Sequence, residues 1–426
     1  MTPLQKMGTN KTKKSYPWFL PSFTLPQGKT AKLFEQLIAL KTKGKNEGGD
    51  ELLALISWFL GDPSLRQMNY FITPESDVIK LIHEWLLFLT SSKAPPKQMT
   101  LAAAPVANAT VGLLATLMAY DVAGGEVITT SLNYPAMPNV ILMAGATPHF
   151  VDVNKDDFCM NMDSLAKAIN EKTKAIILVH LNQFVDLEPL DRLLRKLKRD
   201  IPVIQDASVA FGSKRSNIPL GIFNIGTNGT TIFSFATTKT ITSLGGGMIM
   251  ANSQELINHI AAIAFHGLDL SKAMDVSTVG SNFRINDLNV PLLREQLKKA
   301  DRLFSLRRKL QEVYRKALQP LVDDGLMQLQ TLHEEAVVGH YAVLVPKRDQ
   351  VGKTLFGKEG IQLGCWPAHH HLPFYQQRCP TPFGGTLSTT DAIADQFAFL
   401  PFSTDLTPQD VRFICKALYN ALRQLT

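Results

Sequence analysis

The chain is poor in cysteine: four in 426 residues, Cys159, Cys365, Cys379 and Cys415, widely spaced and without a CxxC pair. That argues against a disulfide framework or a cysteine zinc site and makes a reducing cytoplasm the expected compartment. Long apolar runs are missing as well. The longest dense one, residues 52–60, falls far short of the about 18 residues a membrane span needs. Lys11, Lys13 and Lys14 make the N-terminus basic, yet no apolar core and small-residue cleavage site follow, so no secretory signal is read. Nor does one charge sign dominate any block: 44 basic residues against 37 acidic ones give a net charge of +7. Neither a nucleic acid nor a membrane is therefore an expected partner.

What is present is ordinary core-forming material, with 45% hydrophobic and 19% charged residues. The length fits two or three domains at about 150 residues each, or one large domain with a smaller partner. Helical spacing of apolar residues predicts helices over 32–40, 50–60 and 76–89, followed by a Ser/Pro-rich boundary at 91–96. The pattern then changes. Apolar strands are expected at 126–130, 147–153, 175–181, 202–205, 230–235 and 247–251, separated by helices at 110–120, 135–143, 163–169 and 188–197. Strands apolar nearly throughout, alternating with helices, imply a mostly parallel sheet covered on both faces. Ligands of such α/β sheets bind beyond the carboxyl ends of the strands.

Farther on, a helix is expected to about residue 265, then one long charged helix over 290–318, a strand over 337–345 and a final helix opened by Thr407-Pro408-Gln409-Asp410. Thr407 and Asp410 have the spacing of a capping box, and Pro408 suits the first helical position. The basic stretch 192–199 reads as the solvated side of a helix, with Leu193, Leu194 and Leu197 turned inward.

Two residues carry the chemistry. Asp206 ends the apolar strand Pro202-Val203-Ile204-Gln205, and Lys239 follows the run Ile232-Phe233-Ser234-Phe235 and precedes Gly245-Gly246-Gly247. A strand-end aspartate can hold a metal, a ribose or a protonated ring nitrogen, and alone it is as often a helix cap. A lone loop lysine is usually a solvated charge. Together they fit pyridoxal phosphate, whose aldehyde forms a Schiff base with a lysine and whose ring needs a carboxylate at its nitrogen. The cofactor's phosphate needs free N–H groups at a helix start, which Asn108, Ala109 and Thr110 offer, with Ser234 adding a hydroxyl. Tyr134 is a candidate to stack on the ring, although a single aromatic is ordinarily packing.

Several short stretches resemble the DegT/StrS-type sugar aminotransferases, within the fold type I pyridoxal phosphate-dependent enzymes. They are Ala144-Gly145-Ala146-Thr147-Pro148 with Phe150-Val151-Asp152, Thr173-Lys174-Ala175-Ile176-Ile177 with Val179-His180-Leu181, and Phe233-Ser234-Phe235 with Lys239. The residues Asn282 to Leu288 with Gln296-Leu297, and Gly360-Ile361-Gln362, complete the set in family order. The resemblance implies an α/β fold: a mostly parallel central sheet with helices on both faces in a large domain over 96–300, a smaller α+β domain over 301–426, and an atypical helical extension over 1–95. It implies that Lys239 holds pyridoxal 5'-phosphate and shuttles a proton, that Asp206 meets the ring nitrogen, that Tyr134 stacks on the ring, and that Ala109, Thr110 and Ser234 bind the phosphate. Asn282 would reach the phosphate of a neighbouring subunit, which implies a homodimer with shared active sites, while Arg284 and His371 would face substrate.

The implied reaction transfers an amino group from an amino acid such as glutamate to a nucleotide-linked keto sugar. Two other readings stand beside it: a pyridoxal phosphate enzyme acting on another substrate, and a degenerate ligand-binding or regulatory member. The departures from the family motivate them. Val209 stands where a glutamine is usual, Asn108-Ala109-Thr110 replaces a glycine-containing run, Gly245 replaces an acidic residue, and the segment 182–187 is one residue short. No metal site is expected at His369-His370-His371, because adjacent histidines in a strand would face alternate sides and no carboxylate or cysteine cluster lies close in sequence.

Overall fold

The computed structural model of the protein describes residues 77–90, 101–222, 229–269, 275–379 and 386–425. The helices expected at 32–40 and 50–60 lie outside these residues. Helix α1 (Asp77–Thr90) is followed by β1 (Ala102–Val106), α2 (Ala109–Ala119), β2 (Glu126–Thr130), α3 (Ala136–Met143), β3 (Thr147–Val151), α4 (Met162–Ala168), β4 (Thr173–Val179), α5 (Glu188–Leu197) and β5 (Val203–Asp206). A small hairpin, β6 (Lys214–Arg215) and β7 (Ile218–Pro219), precedes β8 (Thr230–Ser234), β9 (Gly247–Ala251) and α6 (Gln254–Ala264). A second one, β10 (Leu268–Asp269) and β11 (Asp275–Val276), leads to α7 (Asn289–Lys298) and α8 (Ala300–Asp323). The chain ends with β12 (Gln328–Leu329), β13 (Tyr341–Leu344), α9 (Arg348–Glu359), a 3-10 turn (His369–His371), α10 (Pro373–Gln376), α11 (Ser388–Ile393), β14 (Phe397–Leu400) and α12 (Pro408–Leu425).

Seven strands form one sheet in the order β1-β9-β8-β5-β4-β2-β3. Neighbours run parallel except at β9, which is antiparallel to both β1 and β8. Side chains on a strand alternate between faces, and both faces here are buried. Ala175 and Ile177 of β4 join Ile249 of β9 in a core with Leu113 and Leu117 of α2 and Val140 of α3. Their neighbours Ile176 and Leu178 turn the other way, onto Leu165 of α4 and Leu190 and Leu194 of α5. Leu197, expected to turn inward too, is 39% exposed. It sits in the last turn of α5, before Lys198 takes a left-handed conformation (φ 52°), and Leu190 takes the inward position instead.

Sequence expectation and structure part at three elements. The strand β1 is not evident from the sequence because Ala102-Ala103-Ala104-Pro105 has little β-propensity. It forms by pairing with β9 and, among the described residues, lies at the sheet edge, where a proline is tolerated. The helix expected over 290–318 is two helices meeting at Lys299 (φ −99°, ψ −2°). Helix α7 serves one core, whereas α8 starts in that core through Ala300 and Phe304 and continues into another. Val290, Leu293 and Leu297 of α7 pack with α1 and the large sheet, whereas Leu310, Tyr314, Leu318 and Leu321 of α8 pack with the second sheet. The strand expected over 337–345 shortens to Tyr341–Leu344. The N–H groups of Val337, Gly339 and His340 donate instead to Ser213 Oγ and Asn182 Oδ1.

The second sheet, β12-β13-β14, is antiparallel, and α8, α9 and α12 share its core. At the start of α12 the expected capping box forms: the Asp410 N–H donates to Thr407 Oγ1, and the Thr407 N–H donates to Asp410 Oδ2. No described helix is long and apolar enough to cross a membrane.

Helix α1 is fastened to the large sheet by Trp85, fully buried. Its ring stacks on Phe211 (5.1 Å) and meets Phe233 and Phe235 edge-on, and its Nε1–H donates to Met250 Sδ at 3.0 Å. Arg294 of α7 adds paired hydrogen bonds to Glu84, of 2.8 and 2.6 Å. Trp85→Ala is expected to cost about 3–5 kcal/mol, read as a lowered midpoint in chemical denaturation, because neighbouring rings cannot fill the space.

Candidate active site

Asp206 and Lys239 reach the same end of the sheet for topological reasons. Strand β5 lies between β4 and β8, with Asp206 level with Val179 on one side and Ile232 on the other. Asp206 is therefore the last residue of a buried central strand, 4% exposed, and the Ser208 N–H closes a turn onto its Oδ1 at 2.9 Å. Strand β8 runs parallel to it and ends at Ser234, itself buried. Because β9 comes back antiparallel, the loop carrying Lys239 begins and ends at that same edge.

The Lys239 loop is tied along its length. The Lys239 N–H donates to Ala236 O (3.0 Å), the Ser243 N–H to Phe235 O (3.0 Å), and the Thr242 N–H to Gln296 Oε1 on α7 (3.2 Å). Asn289 Nδ2 donates to Ser243 O (2.6 Å), and the Gly246 N–H to Ala107 O (2.8 Å). This last bond joins the loop to the start of α2. There Asn108 is the N-cap, its Oδ1 accepting the Val111 N–H at 3.0 Å. The Asn108 side chain thus caps the helix, while the first-turn N–H groups of Ala109 and Thr110 have no acceptor within the helix. Ala109 is buried and Thr110 exposed. Gly247 makes the close approach feasible: a Cβ there would lie 2.9 Å from Ala109 N and from Asn108 C.

Electrostatics matches the geometry. Desolvation pushes the Lys239 amine down to about 8, against the opposing pull of Asp206. Burial likewise raises Asp206, offset in part by Ser208 and Lys239. Each charge is costly to bury alone, and each lowers the other's cost. A carboxylate of this kind suits a cationic ring N–H, an amine that gives up its proton more readily than a free lysine suits an aldehyde, and the α2 N-terminus with Ser234 suits an anion. The residues present fit pyridoxal phosphate.

Other predicted residues fall around this core. Tyr134 lies in the loop after β2, 55% exposed. Asn282 and Arg284 lie on a segment paired with the end of β1, where the Ala107 N–H donates to Phe283 O (2.7 Å). Arg284 Nε donates to Asn282 Oδ1 (3.1 Å), and its guanidinium covers the Phe265 ring (4.4 Å). His371 hydrogen-bonds Asp391 at 2.7 Å. That contact corrects the expectation of no carboxylate near the histidine run: Asp391 also meets His370 (2.8 Å), and the three side chains cluster with metal-ligand proximity. The histidines occupy a 3-10 turn rather than a strand, and the folded chain brings in a carboxylate remote in sequence.

His340 is a further residue of the site that no sequence motif marks. It is buried, and its pKa is held well below the usual range by burial, then by the charges of Lys239 and Arg307. The only signal in the sequence is a histidine after Gly339, whose added Cβ would lie 2.5 Å from Val209 O. Val209 itself packs with Leu132, Trp366 and Phe399. Asn182, left-handed at φ 65°, accepts the Gly339 and His340 N–H groups and donates to Gln330 Oε1. In this way the shortened segment after β4 holds the second sheet's entry strand against the site.

A seven-stranded, mostly parallel sheet with a lysine and an aspartate at its strand ends defines the class: a fold type I pyridoxal phosphate-dependent aminotransferase. Residues 99–419 match the sequence model of the DegT/DnrJ/EryC1/StrS aminotransferase family, and the chain belongs to that family. Solved structures share its fold. PseC of Helicobacter pylori, an aminotransferase involved in the biosynthesis of pseudoaminic acid, is 22% identical, with 96% of this chain and 100% of that one covered and a TM-score of 0.75. NtdA of Bacillus subtilis, solved with bound cofactor PMP, is 22% identical, covering 88% and 82%, TM-score 0.72. CalS13 of Micromonospora echinospora, a sugar aminotransferase, is 21% identical, covering 87% and 96%, TM-score 0.70.

Since the Lys239 amine loses its proton near pH 8, the rate at which cofactor-free protein takes up pyridoxal phosphate is expected to rise with pH and level off above about 8. Asp206 favours the charged amine, so Asp206→Asn should move the midpoint downward in stopped-flow absorbance.

Proposed function

We propose that the protein transfers an amino group from an amino acid, with glutamate as donor, to a keto sugar carried on a nucleotide. The reading is carried by one observation: a half-buried lysine in the loop after β8, its pKa lowered by desolvation, coupled to a buried aspartate at the same end of the central sheet. Family membership and the fold shared with PseC and CalS13 support a sugar as acceptor. In this reading the domains divide at about residues 96 and 300, and the protein is a cytoplasmic homodimer with shared active sites. The exposure of Asn282 and Tyr134 supports a second subunit there.

Pyridoxal phosphate, when bound, supplies an aldehyde carbon and a ring that withdraws electrons. Lys239 Nζ would hold the cofactor and, as the base of the site, would carry protons to and from the substrate. Its pKa of about 8 suits both directions near neutral pH. Asp206 would orient the ring by its nitrogen. Ala109, Thr110 and Ser234 would hold the phosphate, and Tyr134 would cover the ring face. Val209, packed into an apolar cluster, gives this site no amide at a position where the family has one. That favours, as a second reading, an acceptor other than a nucleotide sugar.

Purified protein supplied with pyridoxal phosphate should show a visible absorbance band that glutamate bleaches. Nucleotide-linked keto sugars should restore it, and Lys239→Ala should lower turnover by at least about a thousandfold. A band that glutamate leaves unchanged would refute the donor, and restoration by other ketones but by no nucleotide sugar would refute the acceptor.

A further inference from the structure

The amino-transfer site leaves the histidine run unexplained. The 3-10 turn sorts its three members unequally. His369 turns inward, its ring 6.1 Å from that of Phe150 and 5.1 Å from that of Tyr375. His370 and His371 lie side by side with ring centroids 4.1 Å apart. Both bring Nε2 to a single atom, Asp391 Oδ1, at 2.8 and 2.7 Å.

His370 and Asp391 are each anchored from behind. Ser131 Oγ lies 2.7 Å from His370 Nδ1 and accepts the His370 backbone N–H at 3.1 Å. Asp391 rides on α11, whose start is fixed by Asp152. That carboxylate accepts the Thr389 N–H (2.9 Å), the Thr390 N–H (2.7 Å) and the Thr390 hydroxyl (2.7 Å). Two strand ends, those of β2 and β3, therefore set the positions of His370 and Asp391.

We propose that His370, His371 and Asp391 form an exchangeable binding site for a zinc-class divalent ion. Two imidazole nitrogens and one carboxylate oxygen are a donor set for zinc that leaves a position open to water or a ligand. At metal–ligand distances of about 2.0–2.1 Å, tetrahedral donors stand about 3.3 Å apart, so the present hydrogen bonds must open by about half an ångström. The side chains of His371 and Asp391, 48% and 45% exposed, have room for that. Ser131 then becomes the outer partner, accepting the Nδ1–H of His370 and fixing which nitrogen faces the ion. Ser131 and Tyr134 share the loop after β2, so the ion would brace that loop against the 3-10 turn.

The test uses the full-length, cofactor-loaded protein with Cys365→Ser, which removes an exposed thiol that would compete for metal. Titration with Co2+ alone should produce ligand-field bands to the red of the cofactor's absorbance, and Zn2+ should displace them. Asp391→Asn and His371→Ala should each weaken cobalt binding by at least about tenfold. Asp391→Asn keeps the side chain's shape, and an unchanged cofactor band and far-UV spectrum would show that the fold is intact. Absence of cobalt bands would overturn the proposal, as would bands undiminished in both folded variants.

Discussion

A buried carboxylate and a half-buried amine at the same end of a sheet constrain everything around them. Neither Asp206 nor Lys239 would be stable there as an isolated charge, and their mutual field is what makes the site tenable. The surrounding structure holds them at the right places. Parallel pairing of β5 with β8 brings the carboxylate and Ser234 to one end of the sheet, and the antiparallel β9 returns the Lys239 loop to the same edge. Gly247 then lets β9 pass close against the start of α2, where the first-turn N–H groups lie.

The chain builds this arrangement with some substitutes of its own. Asn108 caps α2 with its side chain in place of a glycine-containing turn. Val209 joins an apolar cluster containing residues of both sheets' surroundings, among them Leu132 and Phe399. Asn182 makes polar contacts that fasten Gly339 and His340 beside Val209. The region next to Lys239 is thus more apolar and more closely tied together than the motif pattern alone implies. Its remaining imidazole, His340, is kept neutral by burial and by nearby cations.

Much of this is legible in the sequence, for identifiable reasons. The central strands β2, β4, β5, β8 and β9 are buried on both faces, and apolar runs of that kind declare themselves without tertiary information. Asp206 and Lys239 stand out because each follows such a run. The alanine-rich β1 does not, since its conformation comes from its partner β9 rather than from its own propensity. The break at Lys299 is hidden because Lys-Ala continues a helix perfectly well, and the passage from one core to the other comes only farther along, between Phe304 and Leu310 of α8. The cluster of His370, His371 and Asp391 is invisible for a different reason. It depends on α11 docking onto Asp152, a contact between residues far apart in the chain.

The position of β9 also bears on the order in which the protein can be made. Val106 pairs with Gly247, so the first strand of the sheet finds its partner only after most of the large sheet has been synthesised. A growing chain that has emerged as far as β5 already contains Asp206, but it has neither Lys239 nor the strand on which the start of α2 rests. Contacts between residues so distant in sequence form slowly, and the exposed apolar face of β1 must wait for them. The end of the sheet that carries Asp206 and Lys239 is therefore complete only once β9 is available to close the β1 edge.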